Sequence, residues 1–290
     1  MPINIRPAAV AGSWYPASPD ALGRQVDAYV ARAQIAEASA PKAIVAPHAG
    51  LKYSGPVAAF AYKSCLAAAE GEGEGGAASR APYSAAVLIG PSHFVGFDGV
   101  SIWPSGAWET PLGPVKVADE LAERIRAASA AITEERHAHG REHSLEMQLP
   151  FIARLLPGVP IVPMVMGYQS RQTAFGLGET LALALRNRAL AGADVLLVAS
   201  SDLSHYEDAH TAARLDGVVL QHVAELDAEG LMRALEMQPQ HACGGGPMVA
   251  VLHAARLLGA TRARVLKYGD SGDVSGDKSS VVGYMAAAVW

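Results

Sequence analysis

Short, continuous apolar runs alternate along this chain with longer segments in which apolar residues recur every three or four positions. The runs at 43–46, 85–89, 99–103, 159–166, 193–199, 263–268 and 281–289 have the length and continuity of strands buried on both faces. The segments near 117–129, 143–156, 171–189, 209–236 and 247–258 carry the 3.6-residue period of helices. An earlier helix opens at Ser18-Pro19-Asp20, which combines a capping hydroxyl, a proline at the first position and an acid facing the positive dipole end. Its apolar face is Leu22, Val26, Tyr29 and Val30. Pro56 marks the expected start of another helix, reaching about Ala69. Strands that alternate with helices need crossovers and so favour parallel pairing. The expected fold is therefore α/β: one three-layer α/β/α domain over residues 1–290, with a largely parallel central sheet.

Composition narrows the picture. The 290 residues are 50% hydrophobic and 18% charged, enough for a large core and too apolar for general disorder. A formal charge of −5 lacks the basic excess that binds nucleic acid. No apolar stretch approaches the roughly 20 residues a bilayer helix needs, and the Pro-rich, aromatic N-terminus does not read as a secretory signal. Two cysteines, Cys65 and Cys243, fit a reducing compartment, so a cytoplasmic location is expected. Within 70–80, Gly71, Gly73 and Gly76 match G-x-G-x-x-G, but they follow a helix and alternate with glutamates that repel a pyrophosphate. The stretch is expected to be a surface loop.

In open α/β sheets, ligands gather beyond the carboxyl ends of the strands. Three strand exits carry histidine: Ala46-Pro47-His48, Gly90-Pro91-Ser92-His93 and Ser201-Asp202-Leu203-Ser204-His205. Parallel strands bring these imidazoles to one edge. Cys243, in Cys243-Gly244-Gly245-Gly246-Pro247, precedes a helix start whose field favours a thiolate, whereas Cys65 lies in an apolar helical stretch and is expected to pack as a small hydrophobe. His137 and His139 sit in a polar, glycine-bearing segment and are expected in solvent. Glu142 and His143, at an expected helix start, can reach the sheet edge and orient the groups there. A metal or catalytic site is the reading these convergent groups support.

These residues carry a resemblance. Ala46-Pro47-His48-Ala49-Gly50 with Tyr53-Ser54-Gly55, Gly90-Pro91-Ser92-His93, the segment from Glu142 to Pro150, Ser201 to Tyr206, and Cys243 to Pro247 together resemble the Memo family. The opening from Arg6 to Pro16 and the closing Tyr268-Gly269-Asp270-Ser271-Gly272-Asp273 extend the likeness in order over nearly the whole chain. The resemblance implies a fold similar to class III extradiol dioxygenases of the protocatechuate dioxygenase B-subunit type, which use non-haem Fe(II). It implies His48, His93 and Cys243 as ligands of a transition metal, Fe(II) first, with Cu and Zn as alternatives. His205 then stands where those dioxygenases have a catalytic histidine, with Asp202 beside it, and Glu142, His143, Tyr53 and Ser92 are supporting or substrate-binding residues. Those dioxygenases complete their ligand set with a carboxylate where this chain has a thiol, a softer donor that alters redox behaviour.

The implied function is a metal-dependent oxidoreductase of a small organic substrate. Three alternatives use the same cleft. One is a hydrolase or transferase in which Cys243 attacks, His205 is the base and Asp202 orients it. Another is a zinc hydrolase with His205 or Glu142 as base. The third is a ligand- or peptide-binding protein, its pocket rimmed by Trp103 and Trp108. Prokaryotic members are called protein B of the AmmeMemoRadiSam system, which implies an AMMECR-like protein and a radical S-adenosylmethionine protein as partners.

Overall fold

In the computed structural model, which describes residues 4–37, 39–66, 82–186 and 194–290, strands and helices alternate much as the sequence predicts. The chain begins β1 (Ile5–Arg6), α1 (Pro19–Arg32), β2 (Ala43–Ala46), α2 (Leu51–Ser64), β3 (Tyr83–Pro91), β4 (Val100–Ile102), β5 (Ala107–Trp108), β6 (Val115–Lys116), α3 (Asp119–Ala127), β7 (Ile132–Thr133) and α4 (Arg136–Gly140). After a 3-10 turn at Glu146–Gln148 come α5 (Leu149–Leu155), β8 (Ile161–Met166), α6 (Arg171–Arg186), β9 (Asp194–Ser200), β10 (His205–Glu207), α7 (Ala209–Ala224) and α8 (Ala228–Met237). A second 3-10 turn, Pro239–His241, leads to α9 (Gly245–Leu257), β11 (Ala263–Asp270), α10 (Gly272–Ser275) and β12 (Val281–Val289). The loop expected at 70–80, residue 193 and the predicted helix ends reaching Ala69 and residue 189 lie outside the described residues.

Four parallel strands in the order β2-β9-β3-β8 form the centre of the large sheet. Helices cover both faces: α2 packs on β12, β11 and β2 with α1 and α5 against it, while α9 packs on β9, β3 and β2 with α6 and α8. This covering is why the central strands are continuous apolar runs. The flanks differ from the predicted parallel pattern. β12 is antiparallel to β2, β10 and β11 are antiparallel to β12, and β4 is antiparallel to β8. For β11 and β12 the reason is connection length: only residues 271–280 join them, too few for a crossover, so the chain must reverse. A separate small sheet, β1-β5-β6, ties the N-terminal segment to the body.

Two helix boundaries depart from the sequence reading. α2 begins at Leu51, five residues before the proline expected to start it, because Leu51 N–H donates to the Trp14 carbonyl at 2.8 Å. The helix start is thus satisfied by a distant segment, and Pro56 removes one ladder hydrogen bond inside. The helix expected over 209–236 is two: Leu226 takes φ 54° and Asp227 then caps α8 by accepting from Gly230 N–H at 2.8 Å. Among the described residues no helix is long and apolar enough to cross a membrane.

Candidate metal centre

Each central strand hands over to a polar loop at the same interval: His48 stands two residues beyond β2, His93 two beyond β3 and Asp202 two beyond β9. Adjacent parallel strands end together, so these residues meet. Cys243 arrives separately, just ahead of α9. One donor atom from each of His48, His93 and Cys243 lies within 4.8 Å of the other two. Gly244 permits the approach, since a Cβ there would overlap the Ser200 carbonyl oxygen.

Hydrogen bonds determine which imidazole nitrogens are free. Ser200 Oγ donates to the Ser144 carbonyl at 2.6 Å and accepts from Gln148 Nε2 at 2.7 Å. Its 2.9 Å contact with His48 Nδ1 is therefore one in which the imidazole N–H donates. His48 Nε2 keeps its lone pair and lies 3.2 Å from Cys243 Sγ. His93 repeats the arrangement, with Nδ1–H donating to Glu142 Oε1 at 2.9 Å and Nε2 left free. Both histidines are thus oriented from behind by an acceptor, as metal-binding histidines are.

Glu142 does more than orient one ring. Its Oε2 accepts the His93 backbone N–H at 2.6 Å, and Oε1 also accepts the amides of His143 and Ser144 at 2.9 and 2.8 Å. Burial alone raises this carboxyl, but the hydrogen bonds and charge of His93 and the amides outweigh it and hold the pKa at about 2. Asp202 works on the opposite side. Its Oδ1 accepts from His48 N–H at 2.7 Å and Ala49 N–H at 3.3 Å, and its own N–H donates to Cys243 Sγ at 3.3 Å. Burial pushes the Asp202 carboxyl up to about 7 against the pull of those two amides.

Burial, then the nearby Asp202 carboxylate, push the Cys243 thiol up, against hydrogen bonds from the Asp202 backbone and Ser201. Burial, together with neighbouring His93 and His143, drives His48 well below the usual histidine range. Without a cation the pair is a thiol facing a neutral imidazole. Among the described residues the sulfur's polar neighbours are His48 Nε2, the Asp202 main chain and the Ser201 side chain, so the imidazole it contacts is that of His48. His205 opens β10 at the rim, half-buried, its pKa lowered by burial against a hydrogen bond to the Leu203 backbone. Cys65 is buried as expected, its thiol pushed up to about 12.

The remaining wall is built by the N-terminal segment. Arg6 is fully buried. It pairs with Glu146, donates to the carbonyls of His139 at 2.8 Å and Glu142 at 2.6 Å, and lies 4.2 Å over the Trp108 ring. Glu146 also accepts from Tyr15 Oη at 2.7 Å and from the amides of Ala9 and Val10. This clamp sets Trp14 against His143, ring centroids 4.2 Å apart, and His143 in turn stacks on His93 at 4.6 Å and 14°. Burial lowers His143 to about 4, so it is neutral near pH 7.

Several positions differ from the sequence reading. Trp103 and Trp108 are buried and enclose His139, so they do not rim the cleft. His139, expected in solvent, is fully buried, while His137 is exposed as expected. The aromatic groups near the centre are instead Trp14 and the exposed Phe94, whose ring lies 6.0 Å from His143. Glu142 and His143 sit in a turn ahead of the Glu146–Gln148 3-10 turn, not at the start of a long helix. The Ser92 hydroxyl donates to the Val95 carbonyl at 2.7 Å and shapes the His93 turn, while Tyr53 stands partly exposed on the first turn of α2. Ser200, Gln148 and Arg6 were not singled out by sequence, because serine, glutamine and arginine show their role only through partners far along the chain.

Among the described residues two other groups bring possible donors together. In His93, Glu142 and His143, the carboxylate already accepts four N–H bonds. In His222, Glu225 and Asp227, Asp227 caps α8 and holds His222 Nδ1 at 3.1 Å. The first is already saturated at its carboxylate, and the second is a partly exposed surface cluster tied to a helix cap.

An α/β sheet with two oriented imidazoles and a half-buried cysteine at its strand ends describes a class of protein with a candidate metal centre. The model of the Memo-like protein family matches residues 6–288, and the chain belongs to that family. It is similar to the MEMO1 family protein of Methanothermobacter thermautotrophicus, 38% identical over 288 residues that cover 97% of this chain and 98% of that protein. Relatives from Ignicoccus hospitalis (38% identical, 97% of each chain) and Thermotoga petrophila (37%, covering 98% of this chain and 99% of that one) match over the same extent. A solved structure of an uncharacterized protein from Escherichia coli K12 overlays with a TM-score of 0.49 at 18% identity, over 70% of this chain and 85% of that one, too low to bear on the fold.

Proposed function

We propose that His48 Nε2, His93 Nε2 and Cys243 Sγ hold one Fe(II) ion, and that the protein is an oxidoreductase acting on a small organic substrate in the cytoplasm. One observation carries this reading: both imidazoles are tied back through Nδ1–H, to Ser200 and Glu142, and leave two lone pairs beside a single sulfur. The donor set fits a transition metal. Neutral imidazoles and a thiol whose ionisation burial opposes lack a cation to compensate the thiolate, and a bound ion supplies that charge. Three protein donors are also fewer than a closed structural site uses. The mixed nitrogen and sulfur set suits iron, copper or zinc, and the family resemblance to non-haem iron enzymes favours iron. Bound there, such an ion contributes Lewis-acid and redox chemistry.

The chain's own residues define the rest. Ser200 and Glu142 keep Nδ1 protonated so that each Nε2 faces the centre, and Asp202 holds the His48 backbone and donates its N–H to the sulfur. Trp14 packs on His143, which stacks on His93 and holds that ring in place. His205, neutral and tied to the Leu203 backbone through one ring nitrogen, accepts a proton at the other.

Metal analysis of anaerobically purified protein tests the proposal. The wild type is expected to carry one iron per chain, and a His48→Ala, Cys243→Ala double variant none. Equal metal in the two proteins overturns the ligand set, and zinc alone in the wild type overturns the redox assignment.

A further inference from the structure

We infer that Gln169 is the positioning residue for Cys243, and that the loop 166–170, between β8 and α6, sets the spacing between Cys243 and His93. The inference rests on the proposed ligand set but concerns residues outside it. The loop grips the His93 turn by its main chain. Ser92 N–H donates to the Met166 carbonyl at 2.9 Å, Gly167 N–H to the Gly99 carbonyl at 3.1 Å and Tyr168 N–H to the Phe97 carbonyl at 2.8 Å. Only glycine allows this approach at 167, since a Cβ would overlap the Phe97 carbonyl oxygen.

Two residues further on, the Gln169 side chain grips the Cys243 turn. Its Nε2 donates to the Cys243 carbonyl at 2.7 Å, and its Oε1 accepts from Gly246 N–H at 2.7 Å. Gly246 fits closely over it, a Cβ there coming 2.8 Å from Gln169 Cβ. One short loop therefore fixes, from outside the centre, two turns that lie some 150 residues apart in sequence. The amide is suited to this because it offers a donor to a carbonyl and an acceptor to an N–H at once.

A mere helix cap makes a different prediction. Gln169→Glu keeps the acceptor for Gly246 N–H and adds a charge favourable at a helix start, but it sets an acceptor against the Cys243 carbonyl. The test compares wild type, Gln169→Glu and Gln169→Ala as full-length, metal-free protein. Iodoacetamide alkylation of Cys243 is followed by peptide mass spectrometry, with buried Cys65 as internal reference and thermal unfolding measured in parallel.

The expected result is that Gln169→Glu unfolds at the wild-type temperature yet alkylates severalfold faster, as does Gln169→Ala. Titration with Co2+, read by the thiolate-to-cobalt absorption band, should weaken about 10- to 100-fold in both variants. Wild-type alkylation in Gln169→Glu overturns the inference and leaves helix capping as the role. If that variant fails to fold, Gln169→Ala decides by the same alkylation rate. A wild type without the cobalt band overturns the ligand set, while alkylation still decides the role of Gln169.

Discussion

Replacing Glu142 with glutamine keeps the shape of the side chain and removes its charge. In the wild type, Oε1 accepts from His93 Nδ1, His143 N and Ser144 N, and Oε2 accepts from His93 N. A glutamine amide can turn its oxygen toward the three donors, but its NH2 then faces the His93 backbone N–H, donor against donor. Hydrogen bonds to a charged acceptor contribute about 1 kcal/mol more than neutral ones, and a buried N–H without an acceptor costs about 1–3 kcal/mol. Relief of the buried charge returns part of this sum. The fall of the carboxyl from 4.5 to about 2 agrees in direction, since the same hydrogen bonds favour its ionised form. Urea unfolding of metal-free protein at pH 7 should therefore show Glu142→Gln less stable by about 3 kcal/mol. Because His93 Nδ1–H then donates to a neutral amide oxygen instead of a carboxylate, and its backbone N–H meets a donor, Co2+ affinity should also fall about 10- to 100-fold. A variant within about 1 kcal/mol of wild type and equal in Co2+ affinity would refute the reasoning that Glu142 holds His93.

Gly244→Ala should cost about 1–3 kcal/mol in urea unfolding and speed Cys243 alkylation, because the new methyl overlaps the Ser200 carbonyl and the backbone must move. Arg6→Ala leaves the buried Glu146 carboxylate with only neutral donors, and unfolding should show a loss of about 3 kcal/mol, at the low end for a broken buried pair because Tyr15 and two amides remain. Burial holds His139 at about 3 instead of 6.5. Since the native state binds its proton later than the unfolded chain does, His139 leaves stability unaffected above pH 6.5. Below that it removes about 1.4 kcal/mol per pH unit down to about 3. Wild type should accordingly lose about 2–3 kcal/mol more than His139→Phe between pH 6.5 and 4.5, as read by urea unfolding at each pH.

What the chain determined by itself is local. Apolar periodicity depends only on neighbours along the backbone, so the central strands and most helices are legible. The strand-exit rule then points to the loops that carry His48, His93 and His205, because parallel strands must end side by side, and within the third loop it is Asp202 that packing sets beside His48. The glycine-framed helix start adds Cys243, and the family signature joins it to the two histidines. Long-range partners decided the rest. β11 and β12 turn antiparallel because their connection is short, α2 starts early because the Trp14 carbonyl reaches it, and His139 is dry because Trp103 and Trp108 enclose it. The state of the candidate ligands was decided the same way: a histidine's free nitrogen depends on what its other nitrogen touches, and Ser200 and Glu142 are brought there only by packing across the sheet.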